Sequence, residues 1–394
     1  MSLSVSKRMM RVKPSPTSAV LALATELKAA GRDIISLGTG EPDFDTPQAI
    51  KDAAIGAIQS GATKYTPTDG TAELKAAIAR KFDRDNGLSY SAAQIVVSSG
   101  AKQALYNLCQ GLLGPGDEAI IPSPYWVSYP DMVLLAGAEP VIVEAGLDED
   151  FKITPRQLRG AITNKTKLFF LNSPSNPTGA SYSEAELQAL GDVLAEHDDI
   201  VIASDDIYEH VHWGSEPFIT FAGACPALAS RTVVINGVSK AYAMTGWRIG
   251  YAAGPQELIS AMKTVQSQST SNPCSISQVA AQAALDGPQS VVSEMVAAYR
   301  SRHDFLIPEL NRIPGFECRP GEGTFYAFPR VLEAMKNLKL ATDADLASYL
   351  VAEADVAVVP GSAFGAEGYL RLSFACSLET LAEAVERIKR AVTA

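Results

Sequence analysis

The chain has 394 residues, 47% of them hydrophobic, and its 33 basic and 44 acidic residues give a net charge of −11. This length and composition can bury a large core and exceed the size at which one core usually suffices, so we expect two domains. The negative charge repels nucleic acid and anionic membranes, which argues against both as partners. The five cysteines form no CxxC pair and the four histidines no metal-ligand pattern. We therefore expect no disulfide framework or metal site, and a reducing, cytoplasmic compartment.

Residues 1–14 are basic and lack the apolar run of a secretory signal, and no segment of the sequence reaches membrane-spanning length. We expect this segment to be an extended N-terminal arm, with a transit peptide as the alternative.

Strands and helices alternate over most of the chain. A first helix is predicted at 17–30 and a short strand at 33–37, before a loop of glycine and proline residues that ends at Pro47. Helices are then predicted at 48–60, 71–85, 101–113, 126–136 and 183–196, and strands at 94–98, 118–122, 139–143, 167–171, 200–204, 232–236 and 248–253. Continuous apolar runs such as 168–171 and 200–203 predict a mainly parallel, seven-stranded sheet covered by helices. The sequence thus indicates a large α/β domain at 48–286.

The pattern changes after residue 286. Helices are predicted at 288–312, 343–353 and 378–392, with short strands near Phe316 and at 324–328, 356–359 and 369–373. These elements predict a smaller α+β domain that includes residues 287–394.

The most informative stretch joins Ser239 and Lys240 to Arg248, directly after a predicted strand. That strand would deliver Lys240 to the carboxyl edge of the sheet, where open α/β folds bind ligands. A lysine amine can form a Schiff base with an aldehyde cofactor, and a carboxylate such as Asp205 can hold a pyridine nitrogen protonated. Arg248 suits a phosphate, because its planar fork binds phosphate oxygens bidentately. Together these groups predict a pyridoxal phosphate site, whereas Lys240 taken alone could be a solvated surface charge.

A second phosphate signal lies between Ser98 and Lys102, where a predicted strand closes and a helix opens. The free N–H groups and the positive dipole end of that helix would face the sheet edge. A phosphate fits there against Gly100, Ala101 and Lys102. The alternative is that Gly100 only makes the turn.

The motifs, in their order, resemble the class I aminotransferases of fold type I, in particular the bacterial aspartate aminotransferase branch. The resemblance runs nearly end to end, and it rests on these landmarks: Lys13 to Thr17, Gly40 to Pro47, Lys64-Tyr65, Ser99 to Lys102, Ser123-Pro-Tyr-Trp126, Ser175-Asn176-Pro-Thr-Gly179, Ser204 to Tyr208, Ser239 to Arg248, and Tyr369-Leu-Arg371.

The resemblance implies a homodimer that uses pyridoxal 5'-phosphate in a ping-pong cycle on amino-acid and keto-acid substrates. Lys240 would hold the cofactor and carry the proton. Residues 15–47 would join residues 287–394 in a discontinuous small domain.

The resemblance also implies the remaining cofactor contacts. Trp126 would stack on the ring, and Asn176 and Tyr208 would donate hydrogen bonds to its oxygen. Ser239 and Arg248 would complete the phosphate site, together with a tyrosine from the partner subunit that matches Tyr65. Trp126 could instead be a core residue, and Asn176 could serve only to form a turn.

For the substrate, the resemblance assigns the α-carboxylate to Arg371, with backbone contact from Gly40 and further contacts from Trp126 and Asn176. An ion pair with a glutamate is the alternative for Arg371. Lys102, with Ser15 and Thr17 nearby, would bind the distal carboxylate of aspartate or glutamate. Lys13 lies where it could bind a second carboxylate, that of prephenate. A prephenate, aromatic or alanine aminotransferase, a carbon–sulfur lyase and a non-catalytic cofactor-binding module remain open as alternatives.

Overall fold

The structure is a computed structural model that describes residues 5–12 and 16–393, without the side chains of residues 16–21. Its strands are β1 Ile35–Ser36, β2 Ile95–Ser98, β3 Glu118–Ser123, β4 Glu139–Glu144, β5 Thr166–Asn172, β6 Val201–Asp205, β7 Thr232–Gly237, β8 Gly250–Ala253, β9 Tyr326–Ala327, β10 Val356–Ala357, β11 Val359–Pro360 and β12 Leu370–Ser373. Its α-helices are α1 Pro16–Ala29, α2 Gln48–Gln59, α3 Ala72–Asn86, α4 Ala101–Leu112, α5 Tyr129–Leu135, α6 Pro155–Ala161, α7 Glu184–Ala195, α8 Phe221–Ala224, α9 Gln256–Ser267, α10 Ser275–Asp286, α11 Ser290–Leu310, α12 Leu332–Asn337, α13 Asp343–Ala354 and α14 Leu378–Thr393.

The largest sheet has seven strands in the order β2-β8-β7-β6-β5-β3-β4. β8 runs antiparallel to both of its neighbours, and the other pairs are parallel. Successive residues of β5 enter different cores, Phe169 on one face and Phe170 on the other. Both faces are covered, which explains the continuous apolar runs and confirms the predicted fold class.

Local signals fix several helix ends around this sheet. The Thr71 hydroxyl accepts a hydrogen bond from the Leu74 N–H at the start of α3, and Ser183 and Glu186 form a reciprocal capping box on α7. α3 ends at Gly87, whose φ of 64° places it in the left-handed region that favours glycine. The sequence therefore sets these boundaries without help from tertiary contacts.

Two smaller sheets are separate from the seven-stranded sheet. β11, β12 and β9 form an antiparallel sheet, and β1 pairs in parallel with β10, with Ile35 opposite Val356. The pairing of β1 with β10 supports the proposed small domain made of residues 15–47 and 287–394, whose boundaries stay a prediction. Among the described residues, no helix combines the length and apolar character needed to span a bilayer.

Two predicted element boundaries were wrong, and two long helices were missed. The strand predicted from residue 248 begins at Gly250, because Arg248 has a φ of 56° after a short 3-10 helix. The helix predicted from residue 126 begins at Tyr129, with Pro130 in its first turn. The sequence interpretation also missed α9 and α10, since polar residues such as Gln266 and Gln278 occupy buried positions on them and weaken the apolar periodicity.

Candidate active site

A cavity of about 420 Å³ opens at the carboxyl ends of the parallel strands, a volume suited to a small organic ligand. Most of the residues predicted from the sequence line it together: Gly40, Ala101, Lys102, Trp126, Asn176, Asp205, Tyr208, Ser239, Lys240, Arg248 and Arg371. Tyr65 lies elsewhere on the surface and is 93% exposed. Lys13 and Ser15 lie outside the described residues, as does the side chain of Thr17.

Lys240 follows β7 and projects into the cavity. Its Nζ donates a hydrogen bond to the Gly40 carbonyl oxygen at 2.6 Å. Burial, with the positive charges of Arg371 and Arg248, lowers the pKa of the amine to about 8. About a fifth of the amine is therefore neutral at pH 7.4, far more than for an ordinary lysine, which suits a nucleophile or a general base.

Asp205 ends β6 and is buried beneath the cavity. The Tyr129 hydroxyl donates to its Oδ2 at 2.6 Å, and the Asn172 side chain donates to its carbonyl oxygen at 2.7 Å. Burial raises the pKa of the carboxyl to about 6, although the hydrogen bond from Tyr129 opposes this rise. The group can thus remain an anion at neutral pH and accept an N–H from a ligand.

The neighbouring Asp206 has a different environment. It is buried, accepts a hydrogen bond from the Ser204 hydroxyl at 2.7 Å and does not line the cavity. Burial raises the pKa of this carboxyl to about 8, so it is largely neutral at neutral pH. This geometry supports the choice of Asp205 over Asp206.

The phenols of Tyr208 and Tyr326 and the amide of Asn176 line the same cavity. The hydroxyls of Tyr208 and Tyr326 lie 2.9 Å apart, and the Lys240 Nζ lies 5.8 Å from the centre of the Tyr208 ring. The Asn176 N–H donates to Asn172 Oδ1 at 2.9 Å, which fixes the turn that carries the Asn176 side chain into the cavity. These groups can hold a polar substituent on a flat ring.

The start of α4 meets Arg248 at one end of the cavity. Gly100 has a φ of 94°, and a Cβ there would lie 2.5 Å from Arg248 Nη2; a Cβ on Gly250 would lie 2.0 Å from the Ala101 nitrogen. Both positions therefore need glycine. The N–H groups of a first helical turn have no partner inside the helix. With the Arg248 guanidinium and the Ser239 hydroxyl beside them, they make a site for a phosphate.

Arg371 lies on β12 and is buried. Its Nη1 donates to Asn176 Oδ1 at 3.0 Å and its Nη2 to the Gly38 carbonyl at 2.8 Å, while its Nε has no hydrogen-bond partner among the described residues. Within that same part of the chain, no carboxylate forms an ion pair with it, which argues against the alternative of a structural ion pair. A buried guanidinium with only neutral partners is suited to an anionic ligand.

Lys102 stands in the first turn of α4, with its Nζ 4.9 Å from the centre of the Trp126 ring. Burial, with the nearby Arg248 charge, lowers the pKa of its amine. Lys102 therefore presents a cation, and Trp126 a flat apolar face, to the same cavity.

Sequence reasoning missed Tyr129, Tyr326 and Glu41, which also line the cavity. Tyr129 lies three residues after Trp126, and that spacing was the one available signal. Tyr326 contacts Arg371 through its ring, at 4.4 Å from the guanidinium carbon, because β9 pairs with β12. This contact depends on strand pairing that the sequence does not show.

The family model for aminotransferase class I and II matches residues 32–388. Two similar relatives are aspartate/prephenate aminotransferases. That of Nitrosomonas europaea is 56% identical and covers 98% of this chain and 99% of its own length; that of Cereibacter sphaeroides is 54% identical and covers 98% of each. The aspartate aminotransferase of Bacillus subtilis is 52% identical over 99% of both chains.

Solved structures agree with this result. The aspartate aminotransferase from Rhizobium meliloti superimposes with a TM-score of 0.96 at 46% identity, over 100% of this chain and 99% of that one. The aspartate aminotransferase from Thermus thermophilus with maleate superimposes with a TM-score of 0.93 at 44% identity, over 99% and 100% of the two chains.

Proposed function

Because the chain belongs to the class I and II aminotransferases, we propose that it transfers an amino group between L-aspartate and 2-oxoglutarate with pyridoxal 5'-phosphate as its cofactor. One observation carries the proposal. A single cavity holds a lysine amine of lowered pKa, a buried carboxylate and a buried arginine whose described partners are neutral.

The residues present fit this cofactor. The phosphate would bind at the start of α4, where Gly100 and Gly250 leave space beside Arg248. Trp126 would cover the ring, Asp205 would hold its nitrogen, and Tyr208 and Asn176 would contact its oxygen. When bound, the cofactor supplies an electron-accepting ring that stabilises negative charge at the substrate α-carbon.

The remaining steps belong to the side chains of the protein. Arg371 binds the substrate α-carboxylate and orients the α-carbon toward Lys240. The Lys240 Nζ removes the α-proton as a general base and returns it as a general acid, for which a pKa of about 8 is well matched. The small-domain loop at Gly40, already bonded to this amine, limits access of water to the reacting atoms.

Aspartate is the proposed amino donor because several similar relatives are named aspartate aminotransferases. Lys102, which lines the same cavity as Arg371, would bind the distal carboxylate. Prephenate is a second proposed amino acceptor, since relatives at 56% and 54% identity are named aspartate/prephenate aminotransferases. Lys13, Ser15 and Thr17 remain proposed contacts to these substrates.

We also propose a homodimer with shared sites. Tyr65 is almost fully exposed, and two apolar side chains on α2, Ile55 and Ile58, are about half exposed. A second copy would cover this surface and receive Tyr65 at its cofactor phosphate. Hybrid dimers of Tyr65→Phe and Lys240→Ala chains should regain activity at one of their two sites, and no recovery in verified hybrids would contradict sharing. A cytoplasmic location is proposed from the bacterial relatives.

A transamination panel tests the function. Purified protein is given aspartate, glutamate, alanine or phenylalanine with 2-oxoglutarate, and then aspartate or glutamate with prephenate. Aspartate with 2-oxoglutarate should give the highest kcat/KM, and arogenate should form with prephenate. Release of pyruvate and ammonia without a keto acid would indicate a carbon–sulfur lyase. Cofactor binding without any turnover would indicate a non-catalytic module.

A further inference from the structure

Tyr129, the first residue of α5, contacts the proposed ring-nitrogen ligand directly. Its side chain is 2% exposed, and its hydroxyl donates to Asp205 Oδ2 at 2.6 Å. The other hydrogen bond to this carboxylate in the described part of the chain is a long one, from the Ile207 N–H to Oδ1 at 3.4 Å. The phenol is therefore the principal anchor of the Asp205 carboxylate.

The Tyr129 ring is itself held in place. It stacks on Phe170, with ring centroids 4.8 Å apart and 25° between the ring planes, and it meets the edge of Trp126 at 5.3 Å and 81°. Packing on two sides leaves the hydroxyl little freedom to follow a displaced carboxylate. Tyr129 thus links the carboxylate beneath the cavity to the indole that would cover the ring.

We propose that Tyr129 is a positioning residue, whose hydroxyl fixes Asp205 through Oδ2 and keeps it an anion, so that Oδ1, which has only the long hydrogen bond from the Ile207 N–H, can accept the ring N–H of the cofactor. This inference rests on the proposed function, because it needs a ligand with a protonated ring nitrogen. The sequence motifs did not identify Tyr129 as a functional residue.

The electrostatics support this role. Burial raises the pKa of Asp205 to about 6, and the Tyr129 hydrogen bond together with the Lys240 charge acts against that rise. The titratable groups that face Asp205 in the described residues are Tyr129, Tyr208 and Lys240, while Asp206 is directed to Ser204. Loss of the phenol would raise the pKa of Asp205 further, so that near pH 6 to 7 more of the carboxyl would be neutral.

The test compares Tyr129→Phe with the wild type by equilibrium binding of pyridoxamine 5'-phosphate to the cofactor-free protein. This ligand carries an amine, so no imine with Lys240 enters the measurement. The variant keeps the ring and loses only the hydroxyl. Its Kd should exceed that of the wild type by about tenfold or more near pH 6, and the ratio should be smaller near pH 9, where Asp205 is ionised in both proteins and only its positioning differs. Titration of Lys240 and Tyr208 is common to both proteins and cancels in the ratio.

Two further variants complete the design. Tyr182→Phe removes another buried hydroxyl, which accepts from the Ile153 N–H and does not touch Asp205. Its Kd ratio should not depend on pH. In an Asp205→Asn background, Tyr129→Phe should change Kd by less than about twofold, because the carboxylate charge that the Tyr129 hydroxyl stabilises is then absent. Thermal unfolding verifies that each variant is folded.

A Kd for Tyr129→Phe equal to that of the wild type at every pH would overturn the inference. A ratio that is constant across pH would also overturn it, since it would indicate a packing effect alone. If the wild type itself does not bind pyridoxamine 5'-phosphate, the proposed function fails and this inference fails with it. The wild-type control therefore distinguishes the two failures.

Discussion

Two carboxylates on one turn of the chain, Asp205 and Glu209, have opposite surroundings. Glu209 is buried against the large domain, where it contacts Lys81 and accepts hydrogen bonds from Asn86 and Asn236, both at 2.8 Å. Burial acts to raise its pKa, but the Lys81 charge and these hydrogen bonds bring the net pKa below the usual value. Asp205 accepts one strong side-chain hydrogen bond and borders the cavity. A buried charge with a full set of internal partners is compensated within the fold and costly to unpair, whereas one with few partners remains available to a ligand.

Two lysines, Lys81 and Lys240, show the same contrast. Lys81 is fully buried and paired with Glu209, whereas Lys240 donates to one carbonyl oxygen in the cavity. If the contrast holds, substitution of a charge paired inside the fold should mainly lower stability, and substitution of a charge in the cavity should mainly lower activity.

The largest expected effect is on activity, from Lys240→Ala. Removal of the general base alone should lower kcat by about 10² to 10⁴-fold, and loss of the covalent link to the cofactor should lower it further. The variant should bind the cofactor non-covalently and lack the imine absorbance band. A near wild-type rate would show that Lys240 is not the reacting lysine.

The same variant should not lose stability in the cofactor-free state. The pKa of Lys240 in the folded protein, about 8, lies below its ordinary value, so at neutral pH the protonated amine disfavours the folded state. Thermal unfolding near pH 7 should give a Tm at or above that of the wild type.

Lys81→Met should lower stability much more than activity, the reverse of Lys240→Ala. It leaves Glu209 buried without its cation, which should lower the free energy of unfolding by about 3–5 kcal/mol. Denaturant unfolding measures this loss, and turnover of the folded fraction should change much less than in Lys240→Ala. A double variant, Lys81→Met with Glu209→Leu, should recover part of the stability. An equally severe loss in the double variant would contradict the pairing argument.

Arg371→Gln should weaken substrate binding strongly. Loss of a buried, charge-assisted contact to the α-carboxylate corresponds to about 2–5 kcal/mol in kcat/KM, on the order of 30-fold to several thousandfold. Arg231→Gln is the matched control, because Arg231 donates to the carbonyl oxygens of His197, Ile200 and Leu194. That control should lower stability without changing KM, and an equal rise of KM in both variants would remove Arg371 from the site.

Lys102→Ala should have the smallest and most selective effect. A charge-assisted hydrogen bond to the distal carboxylate contributes about 1.5–3 kcal/mol, so kcat/KM for aspartate should fall roughly tenfold to a hundredfold while that for alanine barely changes. Lys263→Ala, which removes a half-exposed partner of Asp69, should affect neither substrate. Equal losses for aspartate and alanine would assign Lys102 to the phosphate or the fold.

The sequence predicted the central sheet because each strand carries its own signal, a run of apolar residues between turn formers. The same runs placed Asp205 and Lys240 after strand ends, and therefore at one edge of the sheet. Arg248 was assigned to a strand in error, since it has a left-handed backbone at the end of a short 3-10 helix that the apolar pattern did not indicate. Tyr129 and Tyr326 were missed because their contacts join segments far apart in the chain. Short-range patterns thus located the site, whereas the partners of each charge required the folded structure.

The glycines at the proposed phosphate-binding end of the cavity restrict how this enzyme can evolve. A Cβ on Gly250 would overlap the Ala101 backbone, so a side chain there requires a backbone shift; a Cβ on Gly100 would displace the Arg248 guanidinium, at a φ of 94° that other residues rarely adopt. Lys102 and Glu41 already carry side chains, which line the cavity. Adaptive substitutions that alter the range of accepted amino acids should therefore accumulate at these two positions, and randomised libraries should retain folded, cofactor-binding clones there but lose them at Gly100 and Gly250.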